Sequence, residues 1–277
     1  MRTVTQNAEL ALLLEVTGTP KPGNVDRDRE YDDLRFEHFL AGAVGARPGL
    51  ELAVAGDPLG SAFEQAIEGM AEQQGGNTQF GALLLLTPLV ATAASGELTP
   101  ERADGIVRKT TVDDAAAFYR SFEHVDVAVD DPPDGLEPLD VRRGSDAIPT
   151  LRERGLTLEA IMRRSADIDD IAAEWVGGFE RAFDAADRIQ ATEGPVPDRA
   201  STVFIELLAE RPDTFIVTRQ DSETATDVMH RARAVLDGET DADELAETFM
   251  QRDINPGTTA DLVAGGLFVA LERGLDV

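Results

Sequence analysis

Three stretches of this 277-residue chain carry residue types that packing alone does not ask for. The first is Glu15-Val16-Thr17-Gly18-Thr19-Pro20-Lys21-Pro22-Gly23-Asn24-Val25-Asp26. Prolines on both sides of Lys21 restrict the backbone and bar a helix, so the lysine sits on a stiff loop. Gly23 permits a turn or a close approach, and Glu15, Asn24 and Asp26 add polar groups. A lysine beside carboxylates at a helix end suits a polyphosphate with its magnesium ion; the same residues also make an ordinary helix-ending loop. The second stretch, Gln73-Gln74-Gly75-Gly76-Asn77-Thr78-Gln79-Phe80-Gly81, precedes an apolar helix. Paired glycines followed by Asn77 and Thr78 expose backbone N–H groups where the helix dipole favours an anion. Asn77 or Thr78 would equally serve as an N-cap. The Gly-Lys-Ser/Thr ending of a P-loop is missing. In the third stretch, Asp253-Ile254-Asn255-Pro256-Gly257-Thr258-Thr259-Ala260-Asp261, the two threonines cap a helix that places Asp261 in its first turn. That helix continues through Ala264-Gly265-Gly266, residues small enough to require close packing.

Composition narrows what these stretches can serve. The chain has 53 acidic against 25 basic residues, for a net charge of −28, and its only lysines are Lys21 and Lys109. An arginine would serve a generic surface role as well, so a lysine in the first stretch points to a point-charge phosphate contact. Acids spread along the chain, with almost no lysine, are the composition of a protein soluble in concentrated salt. Screening there shortens charge repulsion to roughly 3 Å at 1 M. The charge argues against sequence-independent nucleic-acid binding, which needs a basic surface, but not against a nucleotide in a locally positive pocket. With no cysteine, disulfides and thiolate chemistry are excluded. No signal pattern opens the chain and no uncharged apolar run approaches about 18 residues, so a cytoplasmic protein without a membrane partner is expected.

The elements that must position these residues are read as helices. Ala8–Val16, Phe36–Val44, Ala62–Gln73 and an all-round apolar, buried helix from Gly81 to Val90 come first. Further helical pattern covers 100–107, 113–119, 158–172, 174–189, 200–210, 223–236, 241–251 and 259–273. Pro88 is expected to bend the apolar helix. Phe215-Ile216-Val217-Thr218 has strand-like residues but no partners to pair with. The expectation is therefore one all-α domain over residues 1–277, multi-helical, with buried central helices. A Pro-rich acidic surface loop at about 129–140 is the best boundary candidate. His38, His124 and His230 show no metal spacing, Trp175 reads as core, and Arg163-Arg164 reads as a solvated face that could also steer a phosphate. A homo-oligomer is compatible with the sequence.

Taken together and in this order, Thr19-Pro20-Lys21-Pro22-Gly23 with Val25-Asp26, then Gly76-Asn77-Thr78 before Gly81-Ala82, then Pro256-Gly257-Thr258-Thr259-Ala260-Asp261-Leu262, resemble the triphosphoribosyl-dephospho-CoA synthase family, the CitG and MdcB proteins. Asp213-Thr214 resembles a further element of the family. The resemblance spans nearly the whole chain. It implies a helical pentosyltransferase that moves the triphosphoribosyl unit of ATP to the ribose 2′-hydroxyl of 3′-dephospho-CoA and releases adenine, with ATP as substrate and Mg2+ as cofactor. It further implies that Lys21, Gly23, Asn24, Gly76, Asn77, Thr78, Gly257, Thr258 and Thr259 bind the nucleotide. Glu15, Asp26 and Asp261 are then the catalytic carboxylates, with Asp26, Asp33 and Asp261 toward the metal. The family's Asn-Thr-His-Lys-Gly stands here as Asn77-Thr78-Gln79-Phe80-Gly81, and its Gly-Ala-His-x-Asp-Met-Asp is shortened to Asp32-Asp33-Leu34-Arg35. These departures resemble a divergent, archaeal-type branch. They also admit two alternatives, a ribosyl-phosphate transferase for another, pterin-type cofactor and a non-catalytic nucleotide-binding regulator.

Overall fold

Threonine and aspartate start many of the helices. Thr3, Thr99, Thr111, Thr157, Asp169, Asp213, Asp221 and Asp241 each accept a hydrogen bond from a backbone N–H of the first turn that follows. A computed structural model describes residues 2–132 and 136–277, and all regular structure among them is helical. In chain order the helices are α1 (Val4–Thr17), α2 (Phe36–Gly45), α3 (Arg47–Ala55), α4 (Leu59–Met70), α5 (Phe80–Ser95), α6 (Pro100–Val107), α7 (Val112–Ser121) and α8 (Ile148–Arg154). There follow α9 (Leu158–Ser165), α10 (Asp170–Gly177), α11 (Glu180–Ala191), α12 (Val196–Glu210), α13 (Thr214–Arg219), α14 (Ser222–Leu236), α15 (Ala242–Gln251) and α16 (Gly257–Glu272). Short 3-10 turns, Glu137–Leu139 and Val141–Ala147, lead into α8.

Two helices without a polar face, α5 and α16, pack against each other at the centre. Helices α1, α11 and α12 enclose α16, while α3, α4 and α6 enclose α5. The small residues of α16 allow this. A Cβ on Gly266 would come within 2.6 Å of the Ala185 Cβ on α11, so the two backbones meet directly. Helix α5 continues through Pro88, which cannot donate to the Leu84 carbonyl one turn earlier. The Trp175 indole N–H donates to that carbonyl at 3.0 Å, so the expected core tryptophan also repairs the helix it packs on. Among the described residues, no single helix is long and apolar enough to cross a membrane.

The structure divides two helices that the sequence pattern runs together. Asp169 caps α10 through the Ile171 and Ala172 N–H groups, and this breaks the expected 158–172 helix after Ser165. The Glu174 carboxylate accepts from the Arg181 and Ala182 N–H groups, while Gly178 and Phe179 take left-handed conformations between α10 and α11. In both cases an acidic side chain satisfies the first turn of a new helix. Helices α3 and α8 were not expected. Phe215–Thr218 lies in α13, whose cap Asp213 accepts from the Phe215 and Ile216 N–H groups.

Within the acidic Pro-rich loop, Asp130, Asp131 and Glu137 are exposed. Pro133, Asp134 and Gly135 lie outside the described residues. Of the rest, Leu139 is buried and its carbonyl accepts from the Tyr119 hydroxyl at 2.7 Å. Apolar residues on both sides of the loop belong to one core cluster.

Candidate active site

The first stretch folds on itself and on the third. The Lys21 ammonium is fully buried, pairs with Glu15, and donates to Asn24 Oδ1 at 2.9 Å. Asn24 Nδ2 in turn donates to Asn255 Oδ1 at 2.8 Å, across 231 residues of sequence. Gly23, in the left-handed region, lies so near the Ile254 carbonyl that a Cβ would collide with it. Asp26 is used up within the loop. Its Oδ2 accepts from the Lys21 N–H and the Thr19 hydroxyl, each at 3.0 Å, and its Oδ1 accepts from the Asp28 and Arg29 N–H groups.

A cavity of about 310 Å³ opens beside this junction, between the starts of α5, α10 and α16. Of the sequence-predicted residues, Glu15, Asn24, Asn77, Thr78, Gly257, Thr258 and Asp261 line it. Lys21, Gly23, Asp26, Asp33, Gly76 and Thr259 do not. Lys21 is held by Glu15 and Asn24, both of which line the cavity while it does not. Asp33 is exposed on the α1–α2 connection, and Gly76 makes an exposed turn with φ +68°. Asn77 Oδ1 accepts from the Phe80 N–H at 3.0 Å, so it satisfies the first N–H of α5 from two residues ahead of the N-cap, Gln79. Thr258 and Thr259 are tied to Asp213-Thr214. Asp213 Oδ2 accepts from both the N–H and the hydroxyl of Thr259, and the Thr258 and Thr214 hydroxyls stand 3.1 Å apart.

Asp261 is the most perturbed acid here. Enclosure by protein, and then the nearby Glu15 carboxylate, hold its pKa well above the usual carboxylate range; Asp213 and Asp169 add to this, and the Ala82 N–H opposes it. No arginine or lysine pairs with it among the described residues. Its carboxylate faces the cavity across Gly81, where any Cβ would collide with it. The Glu15 pKa is raised by burial but opposed by the Lys21 ammonium. Two carboxylates in one wall thus differ in that one has a cation behind it and the other has none.

Of the opposite wall only Arg164 was foreseen, as a helix-face residue that could also steer a phosphate. Asp130, Asp131, Asp140 and Asp169 line it, together with Arg164, the one cation among the described lining residues. Burial pushes the Asp169 carboxyl up, against the Ala172 and Ile171 N–H groups, and the charges of Asp170 and Asp130 add to the rise. The sequence held two signals for this wall, the Asp130-Asp131 and Asp169-Asp170 doublets, but the first lay in an apparent surface loop and the second inside an apparent helix. Leu136, Leu139, Ile161 and Met162 make the same end of the cavity apolar.

Among the described residues no three His, Asp or Glu side chains converge into a protein-only metal cage. Magnesium is commonly held by one or two carboxylates plus substrate phosphates, and Asp169 and Asp130 both line the cavity.

A family model described as CitG, ATP:dephospho-CoA triphosphoribosyl transferase, matches residues 1–276. A crystal structure from Archaeoglobus fulgidus that carries the provisional name triphosphoribosyl-dephospho-CoA synthase is similar in fold, with a TM-score of 0.69 and 24% identity. The match covers 85% of this chain and 99% of that one. No curated protein matches the chain in a sequence search.

Proposed function

The chain belongs to the CitG family of ATP:dephospho-CoA triphosphoribosyl transferases, and we propose that the cavity between α5, α10 and α16 is where it joins the triphosphoribosyl unit of ATP to the ribose 2′-hydroxyl of 3′-dephospho-CoA. It is a pentosyltransferase by family. The observation that carries the site is the pairing of two wall carboxylates, one backed by a buried lysine and one enclosed without a cation.

In this reaction the C1′–N9 bond of ATP breaks, C1′ bonds to the acceptor oxygen, the acceptor hydroxyl loses a proton and adenine gains one. Environments that push two titratable groups apart assign the acid and the base. Asp261, without a cation, holds its proton and gives it to a ring nitrogen of the departing adenine. Glu15, with Lys21 behind it, takes the proton of the attacking hydroxyl and stabilises the positive sugar centre, as carboxylates do in glycosidases. Arg164 binds a phosphate, and the apolar end suits the pantetheine arm of the acceptor. Magnesium would be held by Asp169 and Asp130 with the triphosphate, where it would neutralise phosphate charge. Asp26, Lys21 and Gly23 act by holding Glu15 and Asn24 in place.

The spread of acids with almost no lysine supports a salt-rich cytoplasm of archaeal type as the working environment. The test is to incubate the pure protein in concentrated salt with ATP, magnesium and 3′-dephospho-CoA. Free adenine should appear in step with consumption of the acceptor. Its absence at every salt concentration would remove this reading.

A further inference from the structure

Gln79 is a buried polar side chain with both of its amide atoms left unpartnered. It is 3% exposed, on the cavity wall at the N-terminal end of α5, and neither its amide oxygen nor its amide nitrogen has a hydrogen-bond partner among the described residues. The adjacent Thr78 hydroxyl, also on the wall, is likewise unpartnered. A buried amide left this way forfeits its hydration with nothing in return, so the position is costly unless something binds there. The surroundings keep it in place. Its backbone N–H meets the Met70 sulfur at 3.3 Å and its carbonyl accepts from Leu83. Gly42 on α2 leaves the room, since a Cβ there would stand 2.6 Å from the Thr78 hydroxyl and 3.2 Å from the Gln79 amide oxygen. Leu34, Phe39 and Phe80 supply apolar wall nearby.

An amide offers one acceptor beside two donors, in a plane. The complement is a flat ring edge with an N–H donor next to an acceptor nitrogen, in an otherwise apolar slot. We infer that Gln79 reads the adenine of ATP, its oxygen accepting from the N6 amino group and its nitrogen donating to N7. This rests on the proposed function, which supplies the nucleotide. The N6/N7 edge is assigned over N1/N6 because Gln79 is two residues from Gly81, against which Asp261 sits. The reacting glycosidic bond must lie near Asp261, and N7 belongs to the ring that carries that bond. Donation to N7 also draws charge from the departing base and leaves N3 open to the Asp261 proton. Guanine presents acceptors at both N7 and O6, so one amide oxygen would face another acceptor. Gln79 is thus a specificity-determining residue, and glutamine is a better choice there than a charged group because both its contacts are neutral.

Binding of nucleotides to the full chain, measured by calorimetry in concentrated salt, tests this without requiring turnover. The wild type should bind ATP about tenfold more tightly than either 7-deaza-ATP, which lacks N7, or purine riboside triphosphate, which lacks the amino group. In Gln79→Leu, ATP should weaken to the level of the two analogues and the preference should collapse to within about twofold. The wild-type comparison stands even if the variant does not fold. Equal affinities for ATP and both analogues in the wild type would overturn the inference, as would a Gln79→Leu protein that keeps the preference. If those results accompany normal adenine release, only this inference falls; if the wild type binds no ATP at all, the proposed function falls with it.

Discussion

Asp261 on α16 rests its carboxylate on the one face of α5 from which Gly81 removes all side-chain bulk. A Cβ at Gly81 would collide with Asp261 Oδ2, and the next residue, Ala82, donates its N–H to the same carboxylate. The acid of one stretch is therefore positioned by the backbone of another, far away in sequence.

Gly81→Ala should push Asp261 out of this position while adding only one methyl group. Misplacement by about 1 Å can cost on the order of 100-fold in rate. Adenine release should fall by about that factor, with the far-UV circular dichroism spectrum unchanged. A Gly81→Ala enzyme of wild-type rate would show that Asp261 does not act from this seat.

Asp261→Asn separates the cost of this acid from its use. Because burial and neighbouring acids raise its pKa, the folded chain keeps a proton there over a range in which the unfolded chain has lost it. Stability from this group is therefore full below about pH 4 and is lost as pH rises through the raised value. Asparagine does not titrate, so the variant should melt above the wild type at pH 8, with the gap closing toward pH 4. Adenine release should drop by roughly 100- to 10,000-fold. A variant less stable than wild type at pH 8 would contradict the electrostatic account.

Lys21 and Glu15 should behave as a unit. Removing one partner of a buried ion pair costs about 3–5 kcal/mol, because the other charge is left alone. Lys21→Met should lower stability by that amount in denaturant titration, whereas Lys21→Met with Glu15→Gln should recover at least about half of it. Additive losses would mean the two groups are not coupled in the folded state.

Arg164 is exposed, lines the cavity and forms no ion pair among the described residues. Arg164→Ala should leave the melting temperature within about 2 °C, since surface changes are usually worth less than about 0.5 kcal/mol. It should nonetheless raise the KM for ATP several-fold. An unchanged KM would remove Arg164 from the phosphate site.

Much of this arrangement was legible from residue order. Helix starts follow from Thr and Asp caps, and the apolar Ala82–Val90 run and the small Ala264-Gly265-Gly266 step mark the two central helices. Glu15, Asn77, Thr78, Thr258 and Asp261 were identifiable because their types are poor choices for packing, and all five reach the cavity wall. The breaks at Asp169 and Glu174 were not legible, since a carboxylate that caps a later helix looks like any solvated helix residue until the chain turns.

What residue types and spacing settled, then, is the all-helical class and the short stretches that hold the site, because capping and side-chain period act over a few residues. What the folded chain alone decided is which members of those stretches face the cavity. Lys21, placed on a stiff loop by its prolines, is drawn inward by Glu15 and Asn24; Asp26 is consumed by its own turn; and Asp169, Asp130 and Arg164 arrive from segments that read as a helix interior, a surface loop and a solvated helix face. The physical reason is that a charge in a protein interior goes where it finds a partner, and these partners stand in other parts of the chain.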